Sequence, residues 1–179
     1  TLVDCGQITC QSTSSSKTST STNHYINECN FGLSSEVGSL MDPLASSNKL
    51  VTRLVKSFGA FGYFLSYYIV VFGYKNTKLG YKIDDASWKS QVCSQVVVNN
   101  GKYYGGGLCV NPYAEPDDQK LNLTAWGDIP ILKQSALVNQ MYTGEHVKSS
   151  FISFSDVFQS VDIKCEHPKR SIKVLADGE

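Results

Sequence analysis

The sequence has no Cys-x-x-Cys pair and no paired histidine spacing, so its six cysteines, at 5, 10, 29, 93, 109 and 165, do not read as a zinc framework. Reduced, mostly buried thiols are the simpler reading. Net charge is also absent: 16 Lys and Arg balance 16 Asp and Glu over 179 residues, without a basic block, which argues against a nucleic-acid partner. There is no strand-GxxxxGKS-helix and no GxGxxG, so the chain brings no nucleotide-binding loop of its own. No secretory signal precedes Asn122-Leu123-Thr124, and this glycosylation triplet falls in an expected strand, which marks it as chance. A membrane-length apolar run is missing too. The longest, Phe58 to Gly73 (FGAFGYFLSYYIVVFG), falls short of the roughly 18 to 20 residues that cross a bilayer and is interrupted by glycine, serine and tyrosine. A buried or interfacial helix fits it better and leaves room for lipid contact.

What is present is concentrated in Asn100 to Leu123, NGKYYGGGLCVNPYAEPDDQKLNL. Gly105, Gly106 and Gly107 permit positive φ and close approach; a bulge at a sheet edge is the first reading and ligand approach the second. Asn111-Pro112 and Pro116-Asp117-Asp118 turn the chain twice before an alternating LNL strand. Asp117 and Asp118 have the hard oxygens a Mg²⁺ ion takes, although acidic turns greatly outnumber metal loops. At the other end Ser171 to Ala176 alternates as a strand and closes on Asp177-Gly178-Glu179. With no initiator Met and no strand after this turn, the chain reads as an excised domain. Glu179 has the chemistry of a general base if it lies beside a substrate hydroxyl. His24 and His146 have no nucleophile or carboxylate pattern around them and are assigned surface or packing roles.

The length suits one domain. Leu2 to Cys10 reads as a strand paired with His24 to Phe31, and the Ser/Thr tract Gln11 to Asn23 as a mobile insertion. A short helix is expected over Ser34 to Met41, ended by Asp42-Pro43, then one or two helices over Asn48 to Phe72, broken near Gly59 and Gly62. Strands are expected at 78–83, 91–99, 102–110, 121–126, 147–154, 157–165 and 171–176. One helix interrupts them, with Asp128 as N-cap, Pro130 in its first turn and Gly144 at its C-terminus. The sum is a mainly β (α+β) fold, a two-layer β-sandwich of eight to ten strands with two or three helices.

Taken in order, Val3-Asp4, Tyr25-Ile26-Asn27, Asn30 to Leu33, Gly62 to Leu65, Asn100-Gly101-Lys102, the triple glycine, Pro112 to Leu121, Tyr142-Thr143-Gly144 with His146, and Asp177-Gly178-Glu179 resemble the C-terminal domain of the diacylglycerol kinase-type lipid kinases, which include sphingosine and ceramide kinases. The resemblance implies a C-terminal β-sandwich that holds a lipid acceptor, and a separate N-terminal domain, absent here, that binds ATP. It implies Mg²⁺ held by Asp118 and the carbonyls of Glu115 and Lys120, Glu179 as the base that takes the lipid hydroxyl proton, and a cytoplasmic enzyme meeting a membrane surface peripherally. Gln119 stands where the family commonly has glycine, and Glu115-Pro116 where a small or apolar residue is usual. NAD kinases share the architecture and form the alternative enzyme reading. A non-catalytic lipid-binding or interaction module is the alternative outside enzymes.

Overall fold

A computed structural model describes residues 2–14, 17–42, 49–58, 61–167 and 171–178. Among them the chain forms an antiparallel ribbon of β1 (Gly6–Ser14) and β2 (Lys17–Tyr25), then β3 (Glu28–Gly32) and helices α1 (Leu33–Met41), α2 (Lys49–Ser57) and α3 (Phe61–Val71). There follow β4 (Thr77–Ile83), β5 (Lys89–Cys93), β6 (Gln95–Asn99), β7 (Tyr103–Tyr104), β8 (Leu108–Cys109), β9 (Leu121–Trp126) and α4 (Ile131–Gln140). A 3₁₀ turn (Glu145–Lys148), β10 (Ile152–Phe158), β11 (Val161–Cys165) and β12 (Val174–Ala176) complete the order.

Two sheets make the sandwich. One has the order β10-β9-β6-β3-β12 and the other β11-β4-β5, all neighbours antiparallel. The period of two decides what each face meets. In β4 and β11, Leu79, Tyr81, Ile83, Val161 and Ile163 join the core, while Lys78 and Lys82 face outward to Glu166 at 3.2 Å and Asp162 at 3.7 Å. Central β6 (QVVVN) is buried on both faces: Val96 and Val98 enter the inter-sheet core with Phe31, Leu123 and Ala125, whereas Val97 joins Trp126, Ile129, Leu137 and Met141 on the opposite side. That second side is covered by helices, with α1 packing on β3, β12 and α3.

The mainly β sandwich expected from the sequence is therefore present, with several differences inside it. The Ser/Thr tract is not a loop between strands 2–10 and 24–31. Its described residues form the ribbon itself, paired from Gly6 with Tyr25 to Ser14 with Lys17, because threonine-rich backbone can pair without burying side chains. His24 to Phe31 is broken at Ile26-Asn27, and β3 belongs to the large sheet. The expected strand 91–99 is two strands in opposite layers, joined at Ser94, whose N–H donates to the Trp126 carbonyl at 2.9 Å. Likewise 102–110 is split by the glycines into β7 and β8, which raises the strand number to twelve among the described residues, with four α-helices. Asp128 does not cap α4; its carboxylate accepts from the Asn76 amide at 2.7 Å, and Pro130 occupies the N-cap. Gly144, at φ 73, precedes the 3₁₀ turn instead of closing α4, which ends at Gln140 with Met141 as its C-cap. The break between α2 and α3 falls where it was expected, while Gly59 itself lies outside the described residues.

All six cysteines are free thiols, three of them buried. Asn122 is buried in β9, which leaves no access for a glycan. No helix among the described residues is long and apolar enough to cross a membrane.

Candidate functional site

Between the helices and the outer face of the large sheet lies a cavity of about 1070 Å³. The alternation that sends Cys29 and Phe31 into the sandwich core turns Glu28 and Asn30 to this side. Leu33, Met41, Phe64, Trp126, Met141 and Leu175 supply an apolar lining. Polar groups gather near one turn: Asn27 and Glu28 at the start of β3, and Asp177 and Gly178 after β12. An apolar chamber with a small polar group in its wall suits an amphiphile.

The polar end is built by main-chain hydrogen bonds. Asp177, at φ 50, accepts from the N–H groups of Ile26 at 2.6 Å, Asn27 at 2.9 Å and Glu28 at 3.0 Å, and donates its own N–H to the Glu28 carbonyl at 3.0 Å. One carboxylate thus pins the terminal turn to the entrance of β3. The Asn27 amide donates to the Tyr103 carbonyl at 2.6 Å, which draws β7 to the same place. Glu28 is only 4% exposed, and its Oε2 has no hydrogen-bond partner among the described residues. Burial first, and then the charge of Asp177, push its carboxyl up to about 8, against a smaller opposing pull from Asn30.

The triple glycine forms the turn between β7 and β8, not a bulge within a sheet. All three residues take positive φ, at 49, 83 and 97, and side chains added at Gly106 or Gly107 would meet open space. The glycines serve backbone conformation, and Gly105 and Gly106 line the cavity.

The acidic loop lies outside the cavity lining. Asp118 Oδ1 accepts from the Lys120 N–H at 3.0 Å, and among the described residues nothing donates to its Oδ2. Gln119 has φ 59, the left-handed conformation that glycine would take readily, and its N–H donates to the Asp4 carboxylate. Asp4 also donates its N–H to the Pro116 carbonyl at 2.7 Å. Asp4 therefore clamps the loop, a role its sequence position did not signal. The described residues hold no cluster of three His, Cys, Asp or Glu that could bind a metal.

Glu179 lies outside the described residues, while Asp177 and Gly178 immediately before it line the cavity. The structure does not bring Asp118 to that lining, nor Glu115 and Lys120 with it. His146 is fully buried, stacked on Trp126 at 5.5 Å, with Nε2 3.0 Å from the Val110 carbonyl and burial holding its pKa down, which is a packing role. His24 sits exposed in the ribbon. Glu28 and Asn30 escaped sequence reasoning. The available signal was that polar residues share one face of a strand whose other face carries Cys29 and Phe31.

Comparison with known families matches residues 37–179 to the YegS C-terminal NAD kinase beta sandwich-like domain. Among solved structures, a protein of Bacillus anthracis str. Sterne provisionally described as a diacylglycerol kinase superposes with a TM-score of 0.59 at 23% identity, covering 87% of this chain and 47% of that one. A second structure so described from the same organism gives 0.57 at 21% identity, covering 87% and 46%. This chain spans about half the length of these proteins. At such identities the likeness concerns the fold. No curated protein matches the sequence at a significant level.

Proposed function

Because the chain belongs to the family of YegS C-terminal NAD kinase beta sandwich-like domains, we propose that it is the acceptor-binding half of an ATP-dependent lipid kinase, presenting a lipid hydroxyl to a nucleotide held by an N-terminal domain. The observation that carries this reading is the 1070 Å³ cavity, apolar along its helices and polar at the Asp177-Gly178 turn. An acyl or sphingoid chain fits the first part and a hydroxyl-bearing head the second. Phosphoryl transfer depends mainly on positioning and on electrostatic stabilisation of the moving phosphoryl group, so two walls facing one cleft suffice to divide the work.

In this reading Glu179 takes the proton of the lipid hydroxyl, and Asp177 acts through it by fixing the turn that carries it. The Asp118 loop fits a hard cation through its free carboxylate oxygen and, with the carbonyls of Glu115 and Lys120, would hold Mg²⁺. That ion would supply loop rigidity and local positive charge. A membrane surface is the source of the acceptor. Helix α2 has basic residues at Lys49, Arg53 and Lys56 and no acid, with Leu50 and Leu54 exposed, and Phe58 and Phe61 continue the exposed apolar surface. Lys56 and Phe64 reach the cavity lining, so a lipid entering from that surface has a short path.

The test is transfer of labelled phosphate from ATP by the full-length protein to diacylglycerol, a sphingoid base, ceramide and NAD. Label in any of the three lipids supports the reading. Label in NAD alone favours the NAD kinase alternative, and vesicle binding without transfer favours a non-catalytic module. Glu179→Gln is expected to lower kcat by about a hundredfold or more with KM nearly unchanged, the usual contribution of a positioned base. Unchanged turnover would remove Glu179 from the mechanism. A Mg²⁺-dependent rise in melting temperature that persists in Asp118→Ala would remove the metal loop.

A further inference from the structure

We propose that Glu28 is the head-group receptor of the cavity and selects an amphiphile bearing an ammonium group beside its hydroxyl, an amino alcohol, over a neutral glyceride. The inference rests on the lipid-acceptor reading above and narrows it to one substrate class.

Three observations lead there. Glu28 lines the cavity, is 4% exposed, and has an Oε2 with no partner among the described residues. A buried polar atom left without a partner costs stability, and sites that retain one commonly use it on a ligand. The neighbouring Asp177 carboxylate is already engaged by three main-chain N–H groups, whereas Glu28 Oε2 is not engaged among the described residues. Beside Glu28 the lining also carries the Asp177 carboxylate, while Lys56, the one base among the described lining residues, comes from α2. A cation entering this end meets favourable potential, whereas a diacylglycerol ester offers acceptors to a wall already rich in them.

Proton linkage follows from the same geometry. Glu28 is pushed up to about 8 by burial and by Asp177, so it is largely protonated at pH 7, and an ammonium beside it favours the ionised form. Binding an amine should therefore release a proton. The other titratable groups facing Glu28 are Asp177 from the terminal turn, Tyr104 from β7, and Tyr25 and Cys29 beside β3. The two phenols and the thiol are all pushed upward by burial and stay neutral, so the proton released near pH 7 comes from Glu28.

The experiment compares a long-chain 2-amino-1,3-diol with its N-acetyl derivative, which keeps the chain and hydroxyls and loses the charge. Binding of each to the full-length protein in detergent micelles is followed by calorimetry in two buffers of different ionisation enthalpy. The amine is expected to bind about tenfold or more tighter, as one charge-assisted hydrogen bond would give, with net proton release at pH 7 and none for the N-acetyl compound. Glu28→Gln should abolish the proton release and bring the two affinities within about threefold of each other, with a far-ultraviolet circular dichroism spectrum matching the wild type showing that the variant folds. Equal affinities in the wild type, or a preference that survives Glu28→Gln, would overturn the proposal; the wild-type proton count decides the matter even if the variant does not fold. Phosphate transfer to the N-acetyl compound or diacylglycerol without amine preference would leave the kinase reading standing and sink this one. Amine preference without transfer to any lipid would do the reverse.

Discussion

At the scale of single residues, three aspartates gather loop main chain. Asp4 holds Gln119, Asp84 accepts from the N–H groups of Gln159 at 3.1 Å and Ser160 at 2.8 Å, and Asp177 accepts three from residues 26 to 28. Each clamp sits at or beside a non-glycine residue of positive φ, where the local strain needs outside support. Asp177→Ala is expected to cost about 2 kcal/mol or more in urea unfolding, since hydrogen bonds to a charged acceptor are the stronger kind, while Asp177→Asn should recover part of it. Equal stability of wild type and Asp177→Ala would show the clamp to be idle. Glu28 has the opposite energetic sign. Its folded pKa of about 8 lies above the ordinary 4.5, so the folded state holds a proton that the unfolded state has already lost between those values. Its contribution is fully present below about pH 4.5 and is lost as pH rises towards 8. Melting temperature should accordingly fall between pH 5 and 8, and Glu28→Gln should flatten that fall; an unaltered profile in the variant would contradict the assignment.

Among the elements, the β1-β2 ribbon is least supported. Its nine-residue strands are paired in register, yet among their described residues only Gly6 and Tyr25, which pair with each other, are buried, and Ile8 alone of the rest packs against the core. A two-stranded ribbon with so little packed surface is marginal in water. We expect amides at 9–14 and 17–22 to exchange at nearly unprotected rates while those of β6 and β9 remain protected, and protection of about a thousandfold or more along the ribbon would refute its mobility. The tract's composition was legible in the sequence, but its pairing was not, because polar strands carry no hydrophobic alternation. Ser94 was equally hidden. QVCSQVVVN reads as one apolar run, and nothing local says that the chain changes sheets in its middle.

For the molecule as a whole, a sandwich with helices over one face encloses a chamber, and among the described residues no phosphate-binding loop accompanies it. The 179-residue domain alone is therefore expected to show no ATP-dependent transfer to any lipid, measured with the same labelled-phosphate assay. Robust transfer by the isolated domain would overturn the division of labour between two domains. Vesicle binding by α2 should survive this separation, since its basic and apolar residues are carried by one short helix.

The amino-acid sequence by itself determined the mainly β architecture, the helical stretch over 49–71 with its break near Gly59, and the family, because period, helix-breaking residues and motif order are written locally, whereas it offered a bulge where the triple glycine makes a turn. Tertiary structure alone decided which acids matter and how. Asp177 became a clamp, Asp4 the brace of the acidic loop, and Glu28 a buried carboxyl in a cavity wall, since each role arises from segments 115 to 151 residues apart that only the tertiary fold brings together. A carboxylate's chemistry is set by burial and by its neighbours, and neither is a property of the chain until it folds.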